Sequence, residues 1–466
     1  MMLVAGVDSS TQSCKVVVCD ADSGNIVRHS KVPHPDGTEV PAEAWWSALR
    51  EATDGLLDGV SAIAVAGQQH GLVALDASGV PVREALLWND TRSARAAEDL
   101  VAEFGGARAW AEAVGLVPLA AHTVAKLRWL ADHEPRHADR VARVLLPHDY
   151  LTWRLLGGTP DVEPITDRGD ASGTGYWSPA SGEYRKDLVA LGFRDRLPEL
   201  PRVLGPSEAA GQTSDGLLVA AGTGDNASAA LGLGIGDGDV VVSLGTSGTV
   251  FTRASHPSAD GSGAIQGFAD ATGAFLPLVC TLNAARVLDR TAALLGIGLD
   301  ELETVARQSV PGAAGLTLLP YLTGERTPNL PDAAGTLHGL TLESMAPHHM
   351  ARAGIEGMLC NLADSLDRLR ADGITPRRVL LIGGAAANPL VAEIAAEIFE
   401  VEVAVPDPQE YVALGAARQA AWTLARTPTP PAWKPPPARE FPPPANGPGP
   451  EIRSRYTTLR QRLHGV

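Results

Sequence analysis

The sequence predicts an α/β fold with two domains, and three observations carry this prediction. Apolar strand patterns alternate along the chain with stretches that place apolar residues at helical spacing, which is typical of α/β proteins. The length of 466 residues is too great for one ordinary hydrophobic core. Two similar strand–turn–strand blocks also stand near the start of each half of the chain. We therefore expect two domains of related architecture.

The two blocks read "LVAGVDSSTQSCKVVVCD" (3–20) and "DVVVSLGTSGTVFT" (239–252). Each consists of an apolar strand, a polar turn and a second apolar strand. This similarity favours an internal duplication, although two unrelated hairpins would give the same pattern. A third block, "RVLLIGGAAANPLVAEIAAEIF" (378–399), predicts a buried strand, a Gly-Gly turn and a helix with one apolar face.

Helices are predicted from the spacing of apolar residues between these blocks. The predicted ranges are 41–57, 122–135, 283–297 and 348–373. Near the carboxy terminus, eleven prolines lie between residues 428 and 450. Because proline lacks an N–H and fixes φ, we expect this stretch to be an extended tail without helix or sheet. A short basic helix is predicted near 452–463.

Composition excludes several classes of function. The net charge is −16 and no stretch is strongly basic, so nucleic acid is not an expected partner. No apolar run reaches the roughly 18–20 residues that span a bilayer, and the start of the chain lacks the basic region of a signal peptide. We expect no membrane partner and a cytoplasmic location. The four cysteines lack the spacing of a zinc site and are expected to be reduced.

The turn of the first hairpin offers groups suited to phosphate and to a hydrated Mg²⁺. Asp8 lies at the end of the first strand, and Ser9 to Ser13 follow it, with Thr11 and Gln12 in the middle. Turn N–H groups and hydroxyls can hold phosphate oxygens, and a carboxylate can hold the cation. An ordinary β-turn capped by Asp and Ser is the alternative.

The other two turns offer small residues but no carboxylate. Gly245, Thr246 and Ser247 form the turn of the second hairpin. The pattern of a P-loop is absent from the chain. In the third block, Gly384 and Ala385 would let a flat ring approach the backbone, and Asn388 could bind a nucleobase or ribose. A plain strand-to-helix turn explains that block equally well.

The stretch "GTGDN" places Asp225 between glycines and a run of small residues. Such a carboxylate can cap the amino terminus of a helix. It can also act as a catalytic base that a substrate reaches closely because the neighbouring residues are small. The residues alone leave both interpretations open.

Taken together, the two hairpins and the Gly-Gly turn resemble the phosphate and adenosine elements of the superfamily of sugar kinases, actin and heat-shock chaperones. The match is much closer to the FGGY carbohydrate kinases and covers about residues 3–425. The resemblance implies two actin-like (ribonuclease H-like) domains with a catalytic cleft between them. The implied boundaries are 1–235 and 236–426, followed by a tail at 427–466. It also implies ATP and Mg²⁺ as cofactors, a sugar substrate and a homodimer.

Two further segments are similar to those of xylulokinases within this family. "AVAGQQHGLVALD" (64–76) resembles a segment with the usual form GQMHG, so Gln69 stands where Met is common. "LLWNDTRS" (86–93) resembles the LWND-x-R segment. "LPHDYLTWRLLG" (146–157) and "TDRGDASGTGYW" (166–177) are also similar to xylulokinase segments. The substrate-binding candidates on these grounds are Gln69, His70, Trp88, Asn89, Asp90 and Asn226.

The resemblance also assigns roles to the candidates in the turns. Asp225 is implied to be the general base, and Asp8 and Asp225 are the candidate Mg²⁺ ligands. Because a helix is expected to begin near Asn226, we expect its dipole to lower the pKa of Asp225. Phosphate contacts are implied for Thr11, Gln12, Gly245, Thr246 and Ser247, and adenosine contacts for Gly384, Ala385 and Asn388.

The implied reaction is ATP-dependent phosphorylation of D-xylulose to D-xylulose 5-phosphate. A kinase of another pentulose or polyol, such as ribulose, is the alternative within the family. A non-catalytic, actin-like sugar sensor is the alternative from another class, although intact Asp8 and Asp225 argue against it.

Overall fold

The computed structural model describes residues 2–466. The chain forms two compact units, each assembled from three segments. Unit 1 consists of Met1–Ile235, Ala254–Leu276 and Gln409–Pro435, and unit 2 of Gly236–Arg253, Pro277–Pro408 and Pro436–Val466. The α/β class and the presence of two domains are as predicted. The boundaries at 1–235, 236–426 and 427–466 stay a prediction.

Strands are distributed along the whole described chain. Those before residue 236 are β1 (Leu3–Ser9), β2 (Ser13–Asp20), β3 (Ile26–Pro33), β4 (Glu39–Val40), β5 (Val60–Gly67), β6 (Val73–Leu75), β7 (Ala85–Leu86), β8 (Arg143–Leu145), β9 (Ile165–Asp167), β10 (Trp177–Ser178), β11 (Glu183–Tyr184), β12 (Arg202–Leu204), β13 (Ala209–Gln212), β14 (Leu218–Ala220) and β15 (Thr223–Gly224). The later ones are β16 (Asp239–Leu244), β17 (Gly248–Thr252), β18 (Ile265–Ala269), β19 (Phe275–Thr281), β20 (Thr317–Leu319), β21 (Thr336–His338), β22 (Arg378–Ile382), β23 (Glu402–Pro406) and β24 (Ala438–Phe441).

Helices separate many of these strands. They are α1 (Ala42–Thr53), α2 (Ala94–Glu103), α3 (Ala107–Val114), α4 (Thr123–His133), α5 (Pro135–Ala138), α6 (Pro147–Leu155), α7 (Arg168–Ala171), α8 (Lys186–Gly192), α9 (Asp225–Leu233), α10 (Ala285–Leu295), α11 (Leu302–Ala306), α12 (Pro347–Ala371), α13 (Pro389–Phe399), α14 (Tyr411–Ala425) and α15 (Gly449–His464). Short 3₁₀ turns lie at Ala313–Gly315 and Gly384–Ala387. In residues 2–466, no helix is both long and apolar enough to cross a membrane.

The main sheet of unit 1 has the order β13-β14-β5-β1-β2-β3, with β15 paired to the end of β5. β1 runs antiparallel to β2 and parallel to β5. Val4, Ala5 and Val7 of β1 are fully buried, which is expected of a central strand covered on both faces. The carboxyl ends of β1, β5 and β15 therefore meet at one edge of this sheet.

Unit 2 repeats the central part of this arrangement. β16 pairs antiparallel with β17 and parallel with β22, and β22 continues in parallel to β23. The strand–turn–strand block again lies beside a parallel strand, as β1 and β2 lie beside β5. This shared topology agrees with the predicted internal duplication.

The four predicted helices correspond to α1, α4, α10 and α12, and the basic helix near 452–463 corresponds to α15. The expectation of a tail without regular structure was wrong at one point. Residues 438–441 form β24, which pairs antiparallel with β23. These four residues contain no proline, so their N–H groups are available to a sheet edge.

Helix α14 holds α9 and β1 together in unit 1. A Cβ atom on Gly415 would overlap the carbonyl oxygen of Ser228, and one on Gly6 would overlap that of Ala413. The Ser228 hydroxyl also donates a hydrogen bond of 2.7 Å to the carbonyl of Val412. Glycine thus allows backbone-to-backbone packing, which fixes the position of α9 and of its first residue, Asp225.

Candidate active site

The carboxyl edge of the unit 1 sheet brings several predicted residues together. Asp8 of β1 lies opposite Ala66 of β5, and Gly224 of β15 lies opposite Gly67. The N–H of Gln68 donates to the carbonyl of Ser9 at 3.1 Å. Ligands of α/β sheets bind at this edge of parallel strands. The turn after Asp8, the Gln-Gln-His segment and Asp225 therefore surround one site.

Asp225 is the first residue of α9, and Gly224 occupies the N-cap position. One carboxylate oxygen, Oδ1, accepts from the backbone N–H of Asn226 at 2.7 Å and from its Nδ2 at 2.8 Å. The expectation of a lowered pKa was wrong. Burial, together with the nearby charge of Asp8, raises the pKa of Asp225 to about 7 and outweighs the stabilising bonds from Asn226.

Asp8 is buried and accepts a hydrogen bond from the hydroxyl of Ser10. Burial raises its pKa, which the Ser10 bond and the charge of Lys15 partly offset. Lys15 Nζ lies 3.7 Å from Asp8 and 2.6 Å from Glu410. The charge of Asp8 in turn raises the electrostatic cost of ionising Asp225. A pair of oxygen donors with this excess negative charge fits a divalent cation such as Mg²⁺.

Gln69 and His70 lie directly beyond β5. Gln69 is buried, and its Oε1 accepts from Asn226 Nδ2 at 3.2 Å. His70 has a left-handed φ of 68°, and its Nδ1 lies 2.8 Å from the carbonyl of Gly173. The His70 ring also meets the ring of His122 edge-on, with centroids 4.9 Å apart. Gln69 is therefore held beside the start of α9, and His70 is held against Gly173 and His122.

The Trp-Asn-Asp segment joins the same site at its margin. Trp88 is 42% exposed, and its Nε1 donates to Thr11 Oγ1 at 2.8 Å. Thr11 is partly exposed and Gln12 exposed in the turn after β1. The Oδ1 atom of Asn89 is buried without a hydrogen-bond partner in residues 2–466. Trp88 thus links the predicted sugar-binding segment to the predicted phosphate turn.

Asp90 has a supporting role within this segment. Its carboxylate accepts from the Thr38 hydroxyl at 2.8 Å and from the backbone and Nε of Arg92 at 3.0 and 2.9 Å. Burial alone would raise the pKa of Asp90, but these bonds lower it overall. The contacts fix the loop that presents Trp88 and Asn89.

The remaining predicted residues lie in unit 2, at the carboxyl ends of β16 and β22. The carbonyl groups of Gly245 and Thr246 accept from the N–H groups of Ala285 and Ala284 at 2.9 and 3.3 Å. Gly245 and Thr246 are exposed in this turn, and Ser247 is partly exposed. Because β16 and β22 are parallel neighbours, the turns that follow them lie side by side.

The turn after β22 contains the predicted adenosine residues. Gly384 has open space where a side chain would lie, which is compatible with the close approach of a flat ring. Ala385 is partly exposed in the same 3₁₀ turn. Asn388 is the N-cap of α13, and its Oδ1 accepts from the N–H of Leu390 at 3.0 Å. Nδ2 is the atom of this amide that remains for a ligand.

The sequence did not reveal the charged cluster behind Asp225. His148 is fully buried, and its Nε2 donates to the carbonyl of Ala221 at 2.8 Å. Its Nδ1 lies 3.1 Å from Asp149 and 3.3 Å from Asp170. Burial alone would lower the pKa of His148, but the two aspartates raise it well above its usual value. The imidazolium thus stabilises the negative charge beside it, while burial still raises the pKa of Asp170 to about 8.

A second contact holds the same turn from the side of β9. Asp167 accepts from the Thr223 hydroxyl at 2.7 Å and from the backbone N–H groups of Gly169 and Asp170, both at 2.8 Å. Gly222 has a φ of 75°, and a Cβ there would overlap His148. The segment Ala221–Asp225 is therefore held by His148 on one side and by Asp167 on the other. Charged residues within segments 146–157 and 166–177 were the only sequence signal for these contacts.

Two family models and several known proteins match most of this chain. Residues 3–242 match the model of the N-terminal domain of the FGGY family of carbohydrate kinases, and residues 240–424 match that of its C-terminal domain. The xylulose kinase of Streptomyces coelicolor is 47% identical over 438 residues, which is 91% of this chain and 88% of that protein. The xylulose kinase of Streptomyces rubiginosus is 44% identical over 439 residues, with the same coverage.

Solved structures give the same result. The crystal structure of the xylulose kinase from Bifidobacterium adolescentis superimposes with a TM-score of 0.91 at 43% sequence identity. The alignment covers 98% of this chain and 99% of that one.

Proposed function

The chain belongs to the FGGY family of carbohydrate kinases, and we propose that it transfers the γ-phosphoryl group of ATP to D-xylulose. The products are ADP and D-xylulose 5-phosphate. The observation that carries this proposal is the similarity to the two Streptomyces xylulose kinases, at 47% and 44% identity over 91% of the chain. The two alignments each cover 88% of the relative's own length.

Asp225 is the general base in this proposal. It accepts the proton of the sugar hydroxyl as that oxygen attacks the γ-phosphorus of ATP. Asn226 Nδ2 and N–H bind Oδ1, and among residues 2–466 no side chain hydrogen-bonds to Oδ2. Oδ2 is therefore the oxygen that we assign to the proton. A pKa of about 7 leaves Asp225 largely ionised at slightly alkaline pH, yet basic enough to accept the proton.

The other side chains bind and orient the two substrates. Gln69, His70, Trp88, Asn89 and Asn226 surround the sugar, and Asp90 braces the loop of Trp88. The turns with Thr11 and Gln12 in unit 1, and with Gly245, Thr246 and Ser247 in unit 2, bind phosphate oxygens. Adenosine contacts Gly384, Ala385 and Asn388.

Asp8 and Asp225 are the residues that would hold Mg²⁺. The ion, when bound, neutralises part of the negative charge that develops on the transferred phosphoryl group. Lys15, which lies 3.7 Å from Asp8, adds a fixed positive charge to this part of the site. A homodimer and a cytoplasmic location stay predictions, as do the domain boundaries.

A panel of sugars tests the proposed substrate. Purified protein is incubated with ATP and Mg²⁺, and ADP release is followed with D-xylulose, D-ribulose, L-ribulose, glycerol and no sugar. The proposal predicts the highest kcat/KM with D-xylulose and a phosphate on its C5 oxygen in the product. A higher kcat/KM with ribulose or glycerol would assign another family reaction. ATP binding without sugar-dependent ADP release would assign a sensor.

A further inference from the structure

Gln69 lies against the start of α9. It is 5% exposed, and its chain crosses the backbone of Gly224 so closely that a Cβ there would approach Gln69 Cγ to 2.7 Å. Its two polar atoms face different partners. Oε1 faces Asn226 Nδ2 at 3.2 Å, and Nε2 faces the carbonyl of Gly169 at 3.4 Å. Gln69 thus connects α7 to the residue that follows Asp225.

These contacts determine which atom is the oxygen and which is the nitrogen in the amide groups of Gln69 and Asn226. An ionised carboxylate only accepts hydrogen bonds, so the edge of Asn226 that faces Asp225 Oδ1 must be its NH₂ group. The Gln69 atom that faces this NH₂ group must in turn be its carbonyl oxygen. At the far end, the carbonyl of Gly169 requires the NH₂ group of Gln69. Each requirement agrees with the others.

The orientation limits what Asn226 can offer to a substrate. Both hydrogens of Nδ2 are used, one by Asp225 and one by Gln69. Oδ1 of Asn226 is therefore the atom of this amide that is available to the sugar, and it can only accept a hydrogen bond. It lies one residue from the proposed base. Two adjacent residues thus present hydrogen-bond acceptors to the sugar, the carboxylate of Asp225 and the amide oxygen of Asn226.

We propose that Gln69 is a positioning residue that fixes the Asn226 amide with its oxygen towards the substrate. This inference rests on the proposed function. The enzyme then selects a substrate in which the reacting hydroxyl is adjacent to a second hydroxyl that donates to Asn226. In D-xylulose these are the hydroxyls on C5 and C4. Without Gln69, the Asn226 amide keeps only its hydrogen bond to Asp225. The enzyme then discriminates less well between substrates with and without the second hydroxyl.

The test compares D-xylulose with its 4-deoxy analogue, which lacks the second hydroxyl. The variants are Gln69→Met, which keeps the length of the side chain but removes both polar atoms, and Asn226→Ala with and without Gln69→Met, which removes the amide that Gln69 positions. Gln419→Met is the matched control, since Gln419 is also buried in unit 1 and donates to a backbone carbonyl, that of Pro206. Thermal unfolding and the KM for ATP are measured for all variants.

We expect Gln69→Met to reduce the kcat/KM ratio of D-xylulose to its analogue by about tenfold, the size of one well-placed hydrogen bond. Asn226→Ala should also reduce the ratio, Gln69→Met should reduce it no further in that background, and Gln419→Met should match wild type. The KM for ATP should not change in any variant. These results would separate positioning of Asn226 from a general structural role.

Three outcomes would overturn the inference. They are an unchanged ratio in Gln69→Met, a further loss of the ratio when Gln69→Met is added to Asn226→Ala, and failure of Gln69→Met to fold, which would make Gln69 a structural residue. A rise in sugar KM for both sugars at a constant ratio would make Gln69 a direct sugar contact instead. Wild-type protein that phosphorylates neither sugar would contradict the proposed function itself, and the inference with it.

Discussion

A carboxylate accepts a proton efficiently when its pKa lies near the working pH. For Asp225, burial and the charge of Asp8 raise the pKa to about 7, whereas the helix start alone favours the anion. The sequence singled out Asp225, but it did not show that burial outweighs the effect of the helix start on the pKa of this carboxylate. Desolvation depends on neighbours from distant segments, and these become visible only in the fold.

The raised pKa predicts the pH dependence of turnover. Because the base acts in its ionised form and kcat/KM reports the pKa of the free enzyme, kcat/KM for the sugar should be low below pH 7, increase through about pH 7 and level off above it. The measurement is kcat/KM for D-xylulose across about pH 5 to 9. Wild-type protein with a flat profile, or with kcat/KM falling through pH 7, would contradict the assignment.

His148 provides a second prediction at this scale. In His148→Gln, Asp149 and Asp170 stay buried without their cation, so we expect a loss of about 3–5 kcal/mol in the free energy of unfolding. Denaturant unfolding measures this loss. His29→Gln is the control, because His29 is exposed on β3. Equal stability of the two variants would mean that the imidazolium does not compensate the cluster.

At the scale of elements, sequence patterns predicted the strands around the turns and the helices with regular apolar spacing. They did not predict that α14 packs on α9, because the two are distant in sequence and each has a mainly apolar surface. They also missed β24, whose residues lie between two groups of prolines. In both cases the decisive partner comes from another part of the chain.

The contact of α9 with α14 leads to a third prediction. Gly415→Ala inserts a methyl group against the Ser228 carbonyl and should push α9 away from its position. We expect a cost of about 1–3 kcal/mol and a reduced kcat, since Asp225 begins α9. Thermal unfolding and kinetics on the same sample measure both effects. Gly205→Ala, where a Cβ meets only open space and the distant end of Glu208, should change neither.

At the scale of the whole molecule, residues beyond the two family matches are part of the packed units. The C-terminal match ends at 424, yet segment 409–435 belongs to unit 1 and 436–466 to unit 2. In α15, Tyr456 is 1% exposed, and its hydroxyl lies 3.2 Å from that of Tyr321. The carboxy-terminal helix is therefore part of the core of unit 2.

This packing predicts the effect of shortening the Tyr456 side chain in α15. Tyr456→Ala should leave a cavity and reduce the stability of unit 2 by about 3–5 kcal/mol. Gln461→Ala, at an exposed position of the same helix, should have little effect. Calorimetry of both variants measures the difference. Equal unfolding temperatures would show that α15 contributes little to the folded unit.

Asp225→Asn keeps the shape of the side chain and removes its charge, so it tests the assignment of the base most directly. We expect wild-type affinity for ATP in the absence of Mg²⁺ by calorimetric titration, because Asp225 is assigned no contact to ATP other than through the cation. The unfolding temperature at pH 8 should be no lower than that of wild type, because burial destabilises the ionised carboxylate. We expect kcat with D-xylulose to fall by about 10²–10⁴-fold. A folded Asp225→Asn protein that phosphorylates D-xylulose at a rate near that of wild type would contradict the assignment of Asp225 as the base.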